Sequence, residues 1–281
     1  MIQRLFLICS SVFMLLACTA NEKEFGVQKV IEAETVEIKR KKSKENLGEL
    51  KLAAAKGVQW LTCDQGLKNK PWALVISGSK SFASKGACSK PVAQALLGAS
   101  YNVVAFNRHG HGKSKWSADL GGDESLKNLE RLLAYKKISV EGVWSEGFGS
   151  ILASRYAKKT STKWIILGSG VFDLEALLED SQNKGDLGLA KKVVSREGDD
   201  GMEKRSIAWD FEGFPHFAFV YQPQILSTSR LNISKSFVEG LSVEGHKASL
   251  KLINSKSDVL TDLEHGNLIQ NALQSFMQTS K

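Results

Sequence analysis

The sequence predicts an α/β protein with a mostly parallel sheet flanked by helices, N-terminal antiparallel edge strands and an inserted cap. From residue 72 onward, short continuous apolar runs alternate with helical stretches, a pattern typical of buried parallel strands and their crossover helices. Before residue 72, apolar and polar residues alternate instead, which indicates half-exposed strands. The chain has 281 residues, of which 42% are hydrophobic, and this is enough for one large core.

The N-terminus predicts export. An apolar run at residues 5–17 follows Arg4 and is too short to span a bilayer comfortably, as in a signal peptide. The sequence L-L-A-C at residues 15–18 resembles a bacterial lipobox, which implies cleavage before Cys18 and lipidation of that cysteine. Ordinary secretion with an incidental cysteine is the alternative. Because Thr19 rather than Asp follows, the resemblance implies sorting to the outer membrane, facing the periplasm.

These features divide the chain into three parts. Residues 1–17 are the predicted signal peptide, residues 18–27 a polar tether, and residues 28–281 the folded domain. Within the domain, the stretches 31–40, 48–55 and 58–63 predict edge strands, and K-R-K-K-S-K-E-N at residues 39–46 predicts a solvated turn.

Six apolar runs predict the buried strands, at residues 72–78, 101–107, 139–145, 163–168, 217–221 and 249–254. Five amphipathic stretches predict the helices, at residues 89–97, 124–135, 149–158, 230–241 and 263–277. Residues 174–214 lack a clear strand pattern and are rich in charged residues and glycine. We therefore expect them to form the cap over the carboxyl edge of the sheet.

Three motifs of this region resemble the α/β-hydrolase superfamily. I-S-G-S at residues 76–79 replaces the family's H-G-x after a strand, and N-R-H-G-H-G-K-S at 107–114 is similar to its D-x-R-G-x-G-x-S turn. V-W-S-E-G at 143–147 is similar to the G-x-S-x-G nucleophile elbow, between a predicted strand and a predicted helix. The resemblance implies that Ser145 is the nucleophile, although Val143 replaces the first glycine. It also implies oxyanion donors at the amide of Glu146 and near Ser79.

A serine nucleophile needs a base, which the superfamily places in the loop after the last strand. In that alignment Asp258 falls at the histidine position, and His265 lies seven residues later in the final helix. His109 and His111 belong to the turn after the second buried strand, near the expected site but not at the family's position for the base.

The acid of the triad is also displaced. Residues 217–229, where the family carries it, contain neither Asp nor Glu. Asp173 matches the variant that places the acid one strand earlier. In a second register Asp258 is the acid, and the chain then ends before the strand that should carry the histidine. The candidate catalytic residues are therefore Ser145, His265, Asp258 and Asp173.

The resemblance implies a hydrolase of ester or peptide type with an impaired triad, acting on a small ester or amide substrate. The alternative is a non-catalytic protein that binds a ligand or partner in the former active-site cleft, and a tethered solute-binding protein is a weaker rival. We expect no cofactor and no metal. The formal net charge of +8 is spread along the chain instead of forming a basic stripe, so nucleic acid is not an expected partner.

Two cysteines remain in the mature chain if Cys9 leaves with the signal peptide and Cys18 is lipidated. An oxidising envelope would allow Cys63 and Cys88 to form a disulfide bond, but sequence does not give the distance between them.

Overall fold

A computed structural model describes residues 44–52, 55–66, 69–78, 81–115, 117–179, 184–257 and 259–279. The predicted signal peptide, Cys18, the tether and the predicted strand at 31–40 lie outside the described residues. In the part of the chain that is described, we find no helix long and apolar enough to cross a membrane.

The described residues form an eight-stranded sheet. Its strands are β1 (Lys44–Leu52), β2 (Ala55–Asp64), β3 (Trp72–Ile76), β4 (Asn102–Phe106), β5 (Val140–Glu146), β6 (Trp164–Gly168), β7 (Phe217–Pro223) and β8 (Lys247–Ile253). They lie in the order β1-β2-β4-β3-β5-β6-β7-β8. The β1–β2 and β2–β4 pairs are antiparallel and the other pairs are parallel, as the sequence predicts.

Helices cover both faces of this sheet. They are α1 (Pro91–Gly98), α2 (Asp123–Lys136), α3 (Gly149–Lys158), α4 (Leu174–Glu179), α5 (Lys184–Glu203), α6 (Thr228–Val243) and α7 (Asp262–Thr279). Their ends follow ordinary rules: Pro91 begins α1, and the hydroxyl of Ser227 accepts the Arg230 amide proton at the start of α6. All six strands and all five helices predicted from residue 72 onward are confirmed, but β8 is a partly exposed edge strand where the sequence predicts a buried one.

The two faces of the sheet bury separate apolar clusters. Because side chains alternate along a strand, Leu74 of β3 packs on one face and Val75 on the other. Helices α2, α3 and α6 cover the first face, and α1 and α7 cover the second. The carboxyl ends of β3, β5, β6, β7 and β8 therefore meet at one edge, where ligand sites of open α/β sheets lie.

Residues 174–214 leave the sheet between β6 and β7. They contain α4 and α5, and α5 bends at Gly198, which has a φ of +64°. Ala190 and Val193 of α5 pack in one cluster with Phe148 and Ile151 at the start of α3. The insertion thus lies against the carboxyl end of β5.

The predicted turn at residues 39–46 is wrong in its second half, because β1 begins at Lys44. Lys44, Glu45 and Asn46 pair with Asp64, Cys63 and Thr62 of β2. At an edge strand the backbone is paired while polar side chains stay in water, so charged residues here do not indicate a turn.

The structure joins Cys63 and Cys88 in a disulfide bond, with their Cα atoms 5.6 Å apart. The bond ties β2 to the short 3₁₀ turn Ala87–Ser89 that precedes α1. Both cysteines are buried.

Candidate active site

The turn between β5 and α3 is centred on Gly147. Gly147 has a φ of +49°, in the left-handed region, and Phe148 follows as the N-cap of α3. The Gly147 amide donates a hydrogen bond to the carbonyl of Gly168 in β6, 2.9 Å away. A nucleophile elbow places its nucleophile on this kind of sharp strand-to-helix turn. The residue in that position here is a glycine.

Ser145 lies two residues earlier, inside β5. Its side chain is fully buried, and its hydroxyl donates a 2.8 Å hydrogen bond to the carbonyl of Ile76 in β3. A Cβ atom added at Gly149 would approach Ser145 Oγ to 2.5 Å, so the serine fills the space beneath the first turn of α3. Ser145 therefore does not lie at the turn, where the sequence motif predicts the nucleophile.

The spacing of small residues explains the difference. Ser145 and Gly149 are the two small positions on either side of the turn, because both lie where helix and strand meet closely. The motif is thus S-E-G-F-G at residues 145–149, and V-W-S-E-G is the same pattern read two residues too early. The nucleophile of an elbow lies directly before the helix that follows it. Because the sequence predicts that helix from residue 149, it already indicates a turn at residue 147 and not at residue 145.

A side-chain Cβ at Gly147 would fit without a clash against the loop after β3. Among the described residues, the nearest atom to a Cβ added at Gly147 is the Cα of Gly78, at 3.8 Å. A Cβ at Gly78, in turn, would lie 2.2 Å from the carbonyl oxygen of Glu146, so this loop needs glycine to approach the elbow. The predicted oxyanion donor Glu146 is the last residue of β5 and pairs with Gly168, while Ser79 lies outside the described residues.

A carboxylate–imidazole pair lies beside the turn. One carboxylate oxygen of Glu146 accepts the Ser77 hydroxyl proton at 2.9 Å, and the other lies 3.1 Å from Nε2 of His265. His265 comes from α7, where it is 2% exposed, and the Glu146 side chain is 18% exposed. The pair joins β5 to α7 across 119 positions of sequence, which no local pattern reveals.

The second ring nitrogen of His265 is also engaged. The hydroxyl of Tyr221 lies 2.6 Å from His265 Nδ1 and accepts a proton from the Trp144 indole at 3.0 Å. Burial raises the pKa of Tyr221, so its hydroxyl stays protonated. Because a carboxylate only accepts hydrogen bonds, Nε2 of His265 carries a proton and donates a hydrogen bond to Glu146, while Nδ1 is engaged by the Tyr221 hydroxyl. In this arrangement the imidazole has no lone pair left to activate a nucleophile.

Asp173 serves as a helix cap. Its carboxylate accepts the amide protons of Glu175 at 2.9 Å and Ala176 at 3.3 Å in the first turn of α4, and the Ser206 hydroxyl at 3.2 Å. The structure does not bring Asp173 into contact with His265. The remaining candidate acid, Asp258, lies outside the described residues.

His109 and His111 are held by structural contacts of the turn after β4. Nε2 of His109 lies 2.9 Å from the Asn128 side-chain amide, and its Nδ1 lies 3.6 Å from Asp119. Burial lowers the pKa of His109 and lowers that of His111 to about 4, the nearby Arg108 charge adding to the effect on His111.

Arg108 braces the loop that approaches the elbow. It is fully buried and donates to the carbonyls of Ser77, at 3.0 Å, and Gly78, while Nε2 of His111 lies 3.0 Å from its guanidinium. Burial lowers its pKa to about 10, so it is charged at neutral pH.

Within the described ranges, we find no group of three His, Cys, Asp or Glu residues that could hold a metal ion.

Comparison with known proteins identifies the fold. No protein-family model and no curated protein matches the sequence. Among solved structures, an esterase from the archaeon Pyrobaculum calidifontis matches with a TM-score of 0.64 at 14% identity, over 84% of this chain and 86% of that one. A carboxylesterase from a metagenomic library matches with a TM-score of 0.63 at 10% identity, over 87% and 92%.

A longer enzyme shares the same core. The acylaminoacyl peptidase of Pyrococcus horikoshii matches with a TM-score of 0.64 at 12% identity, over 85% of this chain and 42% of that one. The chain therefore has the α/β-hydrolase fold of ester and peptide hydrolases. At these identities the likeness establishes the fold alone.

Proposed function

We propose that this protein is a non-catalytic α/β-hydrolase-fold protein that binds a ligand or partner at the carboxyl edge of its sheet. The observation that carries the proposal is Gly147 at the turn of the elbow. Acyl transfer in this fold needs an oxygen or sulfur nucleophile at that position, and glycine has none.

The rest of the expected triad supports the same function. The Ser145 hydroxyl is sealed beneath α3, His265 donates to Glu146, and Asp173 caps α4. Each group is used in a contact that stabilises the fold, and none is arranged as nucleophile, base and orienting acid.

The loop that faces the turn keeps its position, although the catalytic side chains are missing. Arg108 holds the carbonyls of Ser77 and Gly78, and this fixes the loop against the elbow. A Cβ at Gly147 would be in ordinary contact with Gly78, and the Glu146 side chain, one residue earlier in the chain, is 18% exposed. The ligand class that we propose for this edge is a small ester or amide, bound without cleavage.

The rival function is a serine hydrolase with an impaired triad, and ester hydrolysis distinguishes the two. We expect wild type and Ser145→Ala to hydrolyse p-nitrophenyl butyrate at the same slow rate. A binding cleft alone can accelerate such an activated ester, so the comparison between variants decides, not the absolute rate. A drop of about 100-fold or more in Ser145→Ala would contradict the proposal.

A second variant tests water activation by the carboxylate. The contact between Glu146 and His265 is the observation that would favour a water-activating hydrolase. Glu146→Gln keeps the acceptor for the Ser77 hydroxyl, and we expect its rate to equal that of wild type. If the hydrolysis rate falls in Glu146→Gln but not in Ser145→Ala, the protein is a hydrolase in which Glu146 acts as the general base, and the binding proposal is wrong.

We also propose that the protein is exported and anchored in the cell envelope by a lipid on Cys18. The apolar run at 5–17 and the L-L-A-C sequence support this address. The disulfide between Cys63 and Cys88 supports an oxidising compartment.

A further inference from the structure

A cavity of about 680 Å³ lies at the edge of the sheet opposite the elbow. It is formed where β5, β6 and β7 begin and where α7 ends, and its lining residues are Glu141, Lys163, His216, Phe217, Phe276 and Met277, among others. A pocket lined by Gly170, Asp173 and Arg230, among others, measures only about 10 Å³. Small-molecule sites in proteins occupy roughly 300–1,000 Å³.

One wall of this cavity is apolar. The rings of Phe217 and Phe276 meet edge to face with their centroids 5.5 Å apart, and Met277 lies beside them on α7 with 43% of its surface exposed. Phe217 is fixed at the start of β7 and is itself buried. An apolar ligand would remove Phe276 and Met277 from water without rearranging the sheet.

The other wall carries a fixed charge pair. The carboxylate of Glu141 accepts the Tyr101 hydroxyl proton at 3.0 Å and pairs with the Lys163 ammonium at 3.1 Å. Tyr101 in turn accepts a proton from the Trp164 indole at 3.0 Å. Because Tyr101 and Trp164 are buried, this chain of hydrogen bonds holds Glu141 and thereby positions Lys163.

Hydrogen-bond donors for an anion lie at the rim. Lys163 has three N–H donors, and its side chain is 63% exposed. His216 is exposed at the same rim, and the Lys247 ammonium donates to the carbonyl of Thr279, which also lines the cavity. Glu141 is the carboxylate in this lining and is already shared between two donors.

We propose that this cavity is a second ligand site, one that binds an amphipathic monocarboxylate of the fatty-acid type. The apolar body lies against Phe217, Phe276 and Met277. The carboxylate accepts hydrogen bonds from Lys163 and His216. The site is separate from the elbow and does not depend on whether the elbow binds or cleaves anything.

A fluorescent fatty acid, 11-(dansylamino)undecanoic acid, tests this site. Its dansyl group accepts energy from tryptophan, and Trp164 packs against Tyr101 in the cavity wall with ring centroids 5.4 Å apart. We expect saturable binding with one probe per chain. Lys163→Ala and Phe276→Ala should each weaken binding about 10-fold or more, as expected for loss of a charge-assisted hydrogen bond or of a buried aromatic contact.

The chain provides a matched control in Lys159→Ala. Lys159 is 60% exposed and pairs with one carboxylate, that of Glu130, but it does not line the cavity. Its replacement should leave the affinity unchanged, which separates a local effect from a change of net charge. Thermal unfolding of each variant shows whether it is folded.

The methyl ester of the probe identifies the carboxylate contact. Wild type should bind the ester about 10-fold more weakly than the acid, and Lys163→Ala should bind the two alike. The proposal is overturned if the acid does not bind saturably, if folded Lys163→Ala and Phe276→Ala bind it like wild type, or if wild type binds the ester as tightly as the acid.

Discussion

Gly147 and Gly149 differ in what a side chain would meet, although they are two residues apart in the elbow. At Gly147 a Cβ would make only an ordinary contact, 3.8 Å from the Cα of Gly78, but φ is +49°, so a side chain is strained only through the backbone. At Gly149 a Cβ would lie 2.5 Å from Ser145 Oγ and 2.6 Å from the carbonyl oxygen of Ile76. Glycine is favoured at position 147 by the backbone conformation and at position 149 by the lack of space for a side chain.

This difference predicts unequal effects of alanine. Gly147→Ala should lower the free energy of unfolding by about 1 kcal/mol, the cost of a left-handed alanine. Gly149→Ala should lower it by about 2–3 kcal/mol, because overpacking exceeds the gain in helix propensity. Urea unfolding of both variants measures this. A neutral or stabilising Gly149→Ala would show that Ser145 does not lie beneath α3 as described.

His109, which is buried, and His111, which is partly buried, predict a fold that loses stability in acid. Burial lowers the pKa of His111 from 6.5 to about 4, so as pH falls the unfolded chain binds this proton first. Stability should therefore decline from about pH 6.5 to about pH 4 and level off below, as far as this residue is concerned. In His111→Gln the decline should be shallower but still present, because the pKa of His109 is lowered too. Urea unfolding of both proteins across this pH range measures the effect. If the urea midpoints of both proteins fall equally as pH is lowered, His111 is not held neutral by the fold.

Two elements at the edge of the sheet depend on a covalent link. The disulfide joins β2 to the segment before α1 across 25 positions of sequence. Closing a loop of this length contributes about 3 kcal/mol to stability through the unfolded chain. Reduction of wild type should lower the free energy of unfolding by about that amount, while Cys63→Ala/Cys88→Ala should not respond to the reductant. Equal stability of oxidised and reduced wild type would contradict this role.

The elements were predictable wherever a sheet buries both faces of a strand. The runs around Val75, Val104 and Ile166 are continuous and apolar because helices cover them on both sides. The start of β1 was not predictable in the same way, since Lys44 pairs through its backbone while its side chain is exposed. An edge strand leaves a weak pattern in sequence.

The elbow was predictable as an element but not in register. Ser145 satisfied the motif, and only the left-handed turn at Gly147 shows which residue faces the cleft. The contacts of Glu146 with His265 and of Tyr221 with Trp144 join distant segments, so no spacing rule indicates them. The first contact depends on the packing of α7 against the sheet, and the second on the order of strands within it.

At the scale of the whole molecule, the predicted address can be tested apart from the site. If Cys18 carries a lipid, Cys18→Ala should move the protein from the membrane fraction to the soluble fraction, because loss of the acyl chains removes most of the membrane affinity. Fractionation with immunoblotting measures this, and Cys9→Ala is the matched control. Unchanged membrane partitioning of a Cys18→Ala protein from which residues 1–17 have been removed would exclude the lipid anchor.

The central claim is that the elbow carries no nucleophile, because Gly147 occupies its turn and Ser145 is sealed below it. A fluorophosphonate probe forms a covalent bond with an activated serine oxygen and releases fluoride. Intact-mass spectrometry detects the added mass and therefore tests the claim directly. We expect wild type and Ser145→Ala to keep their unmodified masses after prolonged incubation. A stoichiometric adduct on wild type that maps to Ser145 and is absent from Ser145→Ala would contradict the account.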